Sequence, residues 1–94
     1  MKTIWKFWFP ISDRFELVMP VGARILTAFV QFENEPNSRE RRACLWAEVD
    51  NETSETRARR FAVVGTGGPM PHAKLRWVAT FPDPPFIWHL YEVL

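Results

Sequence analysis

Ninety-four residues carry 12 Lys and Arg against 11 Asp and Glu, a formal charge of +1, with 47% hydrophobic and 24% charged residues. That length closes one core at most, the composition excludes a disordered, collagen-like or coiled-coil chain, and the near-neutral balance excludes a simple polyanion-binding basic domain. The single cysteine, Cys44, permits neither an internal disulfide nor a cysteine-based zinc site and fits a reducing cytosol, so stability falls to a core that can draw on five Trp and eight Phe.

The dominant period is two. In Ile4–Phe9 the residues Trp5, Phe7 and Phe9 share one face while Lys6 divides Ile4 from Trp8 on the other, as in a strand buried mainly on one side. Pro10 ends it, and with no small-residue cleavage site after Met1–Phe9 the start is not a signal peptide. No run approaches the ~18 uncharged apolar residues of a spanning helix, so the expectation is a soluble, cytoplasmic protein with no membrane partner. Phe15, Leu17 and Met19 alternate with polar or smaller neighbours in a second strand that stops at Pro20, and Met19–Ala23 reads as a turn in which Gly22 supplies a positive φ. Arg24–Glu33 places Leu26, Ala28, Val30 and Phe32 on one face and Ile25, Thr27, Phe29 and Gln31 on the other, which predicts a central strand covered on both sides.

Asn34–Arg42 is a polar loop or frayed turn, Cys44–Asp50 a strand, and Thr56–Val64 another, the two joined by Asn51–Glu55 in a predicted hairpin. Gly65–Pro71 concentrates chain breakers. Leu75, Trp77, Ala79 and Phe81 then alternate in a sixth strand, Pro82–Pro85 forces a rigid connection, and Phe86–Tyr91 closes the chain with Phe86, Trp88 and Leu90 inward. Six to seven short strands without an amphipathic helical stretch predict an all-β fold, a compact single-domain antiparallel sandwich or partly open barrel over 1–94.

No constellation of residues completes a catalytic set, so the expectation is a protein that is not an enzyme and needs no cofactor or metal. Gly65-Thr66-Gly67-Gly68 lacks the Lys and the following helix of a phosphate cradle. His72, in a Pro-flanked loop, and His89, in the last strand, have no spacing that brings them to one metal, and Cys44 reads as a small core residue. Glu48 and Asp50 share a strand face, where Arg57, Arg59 and Arg60 are expected to offset their charge across the hairpin. Arg39, Arg41, Arg42, Arg57, Arg59 and Arg60 could form a phosphate-contacting stripe, but the acidic residues among them leave an excess of about one charge.

Lys2-Thr3-Ile4-Trp5-Lys6, Met19-Pro20-Val21-Gly22-Ala23-Arg24-Ile25-Leu26, Leu45-Trp46-Ala47-Glu48-Val49-Asp50, Gly65-Thr66-Gly67 with Pro69 and Pro71, Thr80-Phe81, and Phe86-Ile87-Trp88-His89 occur in this order. The set resembles a family of small proteins of unknown function encoded by bacteriophages and bacterial genomes. Where members often carry a His after the second glycine of the Gly-Thr-Gly turn, Gly68 stands here. The resemblance implies a bacterial host cytosol and no activity.

The functional expectation is therefore a non-enzymatic protein that docks a preformed β surface on a host or phage protein, as small proteins that tune host machinery or block host defence do. Trp8, Trp46 and Tyr91 are the candidate exposed anchors, with the six arginines as candidate binding residues. A self-complementary surface would make it a homodimer. A single-stranded nucleic-acid module using the arginines with exposed aromatics is the alternative.

Overall fold

The computed structural model describes residues 1–32 and 41–94, of Phe32 and Arg41 the backbone alone. Among the described residues the chain forms seven strands and no helix: β1 (Lys2–Phe9), β2 (Arg14–Pro20), β3 (Arg24–Phe32), β4 (Arg41–Asp50), β5 (Thr56–Gly65), β6 (Leu75–Asp83) and β7 (Phe86–Val93). They make two antiparallel sheets, ordered β1-β4-β3 and β2-β5-β7-β6, packed as a sandwich. The all-β expectation holds, and of its two forms the sandwich is the one adopted.

The core lies between the sheets and is divided unequally by size. The three-stranded sheet presents Ala28, Ala43, Leu45, Ala47 and Val49, and the four-stranded sheet fills the space with Phe61, Val63, Phe81 and Leu90. Small residues on one face admit large ones from the other, which is how dense packing is reached without voids. Phe9, Phe15 and Phe61 stack in series with centroid separations of 4.8 and 5.1 Å, and Phe9 meets Phe81 edge-on at 6.4 Å. Burial along β1 falls from Phe9 at 6% exposed to Trp5 at 41%.

Both glycine turns are built as the chain chemistry requires. Ala23 N–H donates to the Pro20 carbonyl at 3.1 Å and Gly22 has φ 82°; Gly68 N–H donates to the Gly65 carbonyl at 2.9 Å and Gly67 has φ 89°. In each the glycine occupies the third turn position, where a side chain would be strained.

Several expectations of pairing and facing are corrected. β4 and β5 do not form a hairpin: Asn51–Glu55 carries the chain from one sheet to the other, so β4 pairs with β1 and β3 while β5 pairs with β2 and β7. β3 is an edge strand lying against β6, and Phe29 is exposed. Arg41 and Arg42 belong to β4 rather than to the preceding connection. Register breaks between Ile25 and Thr27 and between Trp77 and Ala79 defeat strict alternation. The second moves Trp77 opposite Tyr91, away from the face of Ala79 and Phe81, because one extra residue in a strand reverses the direction of every side chain beyond it.

Candidate functional site

The outer face of the three-stranded sheet gathers cations around aromatics. Trp8 faces Cys44 across β1 and β4. Lys6 Nζ lies 4.4 Å and the Arg42 guanidinium 4.6 Å from Trp8 ring centroids, close enough for attraction to the ring's negative face. Lys6 also donates to Gln31 Oε1 on β3 at 2.9 Å, spanning β4. Beneath this cover Cys44 is fully buried, its thiol 3.5 Å from the Phe29 carbonyl; burial pushes its pKa up, with the Lys6 charge a smaller opposing influence. Trp46 is half-buried on the same face. Of the expected arginine stripe, Arg39 lies outside the described residues, as does the Arg41 side chain.

Glu48 and Asp50 share this face, but their partners are not the arginines of β5. Arg24 Nη2 donates to Glu48 Oε2 at 3.0 Å and Lys2 Nζ lies 3.6 Å from Oε1. The Arg24 hydrogen bond, with its charge, holds the Glu48 carboxyl below the usual carboxylate range. Asp50 accepts from the Glu52 N–H at 3.1 Å, the main cause of its own lowered pKa. Asp50 is exposed and Glu48 half-buried; both are ion-pair partners, Asp50 of the N-terminal ammonium at 3.2 Å, not a pair converging on a cleft.

The outer face of the four-stranded sheet displays a different surface. Trp77 and Tyr91 stand opposite one another across β6 and β7, followed by Thr80 opposite His89 and Pro82 opposite Ile87. Trp77 is 59% exposed, Met70 50% and Ile87 43%. A hydrogen-bonded row runs through the centre: Trp77 Nε1 donates to Thr80 Oγ1 at 3.1 Å, Thr80 Oγ1 lies 3.0 Å from His89 Nδ1, and His89 Nε2 lies 2.8 Å from Thr66 Oγ1. His89 thus ties the glycine turn to the sheet, and Met70 lies with His89 and Tyr91 around a shallow depression. Of these residues the sequence singles out Tyr91, which with Trp8 and Trp46 is half-buried rather than exposed, but not Trp77 or Met70. The bulge that exposes Trp77 leaves no mark in the alternation, whereas Met70 between Pro69 and Pro71 was legible as an apolar residue in a segment that must lie at the surface.

Arg57, Arg59 and Arg60 begin β5 and have separate roles. Arg59 points between the sheets, donating from Nε to Glu92 Oε2 at 2.6 Å, from Nη2 to Glu92 Oε1 at 2.8 Å, and from Nη1 to the Ala23 carbonyl. Glu92, at 6% exposed, is the sole buried charged residue among those described, and Arg76 Nη1 reaches to 3.9 Å from it. Glu92 was absent from the sequence reasoning, although its place in the inward register of β7 beyond Leu90 was the available signal. Two adjoining grooves share Arg59, Arg76 and Glu92. One, of about 520 Å3, adds Arg57, Arg60 and Val93; the other, of about 420 Å3, runs between the bulges of β3 and β6 and adds Arg24, Leu26 and Trp77. Arg42 lies far from both, beside Pro10 and Asp83 in a depression at the other end of the sandwich, so the described arginines of the expected stripe divide into two groups.

Among the described residues no group of three His, Cys, Asp or Glu side chains is placed to hold a metal ion, and no helix is long and apolar enough to cross a membrane. What the surfaces offer chemically is apolar contact on an ordered sheet and guanidinium groups beside it. No curated protein and no solved structure is significantly similar to the chain. A family profile does match it from residue 1 to residue 94, and the chain belongs to that family, described as Domain of unknown function (DUF7352).

Proposed function

We propose that this domain is a non-enzymatic interaction module that docks the outer face of its β6–β7 sheet on another protein. The observation that carries this reading is Trp77: a large aromatic left 59% exposed while its indole N–H is held by Thr80. Orienting such a side chain before contact removes part of the entropy cost of binding, and Trp and Tyr are the residue types most enriched among binding hot spots. Tyr91, Met70 and Ile87 extend the contact around it. In the phage or bacterial setting implied by the motif resemblance, the docked protein is a component of host machinery or of a host defence system.

The test is affinity capture from a bacterial host lysate with the wild-type domain and with Trp77→Ala, the fold of each checked by circular dichroism. A specific host protein retained by the wild type and lost with Trp77→Ala is the expected result. Retention of the same proteins by both variants removes Trp77 from the interface and the reading with it. A second reading, single-stranded nucleic-acid binding, draws on the cations interleaved with Trp8 on the opposite face; binding of an oligonucleotide that weakens steeply with salt and is lost with Lys6→Ala would put it first.

A further inference from the structure

We infer that the arginine-lined groove at the start of β5 receives an acidic segment of the docked protein. This rests on the docking reading above and adds the chemistry of the partner. On a chain of formal charge +1, the larger groove is lined by four arginines, Arg57, Arg59, Arg60 and Arg76, with Glu92 its one acidic side chain and the Leu94 carboxylate at its rim. Glu92 is already satisfied by the two-pronged contact from Arg59, so its charge is committed inward. Arg59 is likewise committed, to Glu92 and to the Ala23 carbonyl. The groove's outward chemistry therefore comes from Arg57, Arg60 and Arg76, all exposed, with the floor held rigid by the buried pair. The guanidinium groups of Arg57, Arg60 and Arg76 line one groove, and the planar guanidinium fork matches a carboxylate in a geometry that a lysine does not offer.

Two further observations favour a peptide over a polyanion in general. The adjoining groove continues past Leu26 to Trp77, so a segment lying along both would exchange carboxylate contacts for apolar ones at the edge of the docking face. The surrounding field is also tempered: Glu16 stands opposite Arg60 in the β2–β5 register, and Glu48 holds Arg24 at 3.0 Å. A few carboxylates placed in register suit that surface better than a continuous phosphate chain, whose binding depends on many uncompensated cations.

The probe is a fluorescein-labelled oligoglutamate peptide with one central phenylalanine, titrated by fluorescence anisotropy at low salt against the purified domain. An oligothymidylate of equal charge is the comparison. Binding of the peptide, weakened about tenfold or more by Arg57→Ala/Arg60→Ala and unchanged by Lys6→Ala, which removes a cation from the other sheet, is the expected result. No peptide binding, equal loss with Lys6→Ala, or tighter binding of the oligothymidylate each overturns the assignment. Because Arg57 and Arg60 are surface residues, thermal melts of the double variant should match the wild type. Capture by the Trp77 face is read separately, so the groove can fail while the docking face stands.

Discussion

At the scale of single residues, the ion pair of Arg59 and Glu92 is costly to disturb, because Glu92 is buried. Removing two charges from water is unfavourable unless geometry repays it, and this pair sets against that cost two short hydrogen bonds and a third from Arg59 to the Ala23 carbonyl. Truncating one partner leaves the other buried and uncompensated. Glu92→Gln keeps the shape but removes the charge that Arg59 answers, and is expected to lower stability by about 3 kcal/mol, read as a fall in the urea midpoint without change in slope. A loss within experimental error would mean that water reaches the pair. By contrast Glu48, whose partners Arg24 and Lys2 are exposed, belongs to the class of surface pairs that contribute little. Much of this scale was legible in outline but not in partnership. Arg59 was singled out for its cluster, yet its partner lies 33 residues away, a distance that no local spacing rule spans.

At the scale of elements, the sequence marked nearly every strand correctly because period-two alternation, proline stops and glycine turns are all local. Pairing is not local. Thr56–Val64 is expected beside Cys44–Asp50 because consecutive strands usually neighbour one another, but the polar stretch between them serves equally well as a crossing between sheets. The two bulges were illegible for a related reason: Leu26 and Val78 fit a strand by propensity, and only the partner strand reveals that they are supernumerary. The connection from β5 to β6 shows how an irregular segment is nevertheless fixed. If His89 carries its proton on Nε2, Trp77 donates to Thr80, Thr80 to Nδ1, Nε2–H to Thr66, and the Thr66 hydroxyl to the Ile87 carbonyl at 3.4 Å. The other tautomer turns the Thr66 hydroxyl toward the ring and forfeits the bond to Ile87. Nitrogen NMR of His89 should therefore show the Nε2–H form when the ring is neutral, and Thr66→Val should speed amide exchange at Gly67 and Gly68. A dominant Nδ1–H form would refute the direction assigned to the row.

At the scale of the whole molecule, the topology builds each of the two sheets through pairings that span long stretches of chain. Lys2 pairs with Asp50 and Pro20 with Thr56, and within the sheets only β3 with β4 and β6 with β7 are neighbours in sequence. Such pairings must close large loops before they bring any stabilising contact, so their entropic cost is met early in folding. The Phe9–Phe15–Phe61 stack joins β1, β2 and β5; its Phe9–Phe15 contact is local, whereas Phe15 meets Phe61 only when the long loop between β2 and β5 has closed. Refolding from urea, followed by tryptophan fluorescence in a stopped-flow instrument, is expected in the millisecond-to-second range of non-local β sandwiches. Phe15→Leu, which removes the middle ring while keeping an apolar side chain, should slow refolding if the stack belongs to the nucleus and should otherwise act mainly by speeding unfolding. Completion of wild-type refolding in microseconds would contradict the topology itself, because no chain held together by these pairings can be assembled from neighbouring segments alone.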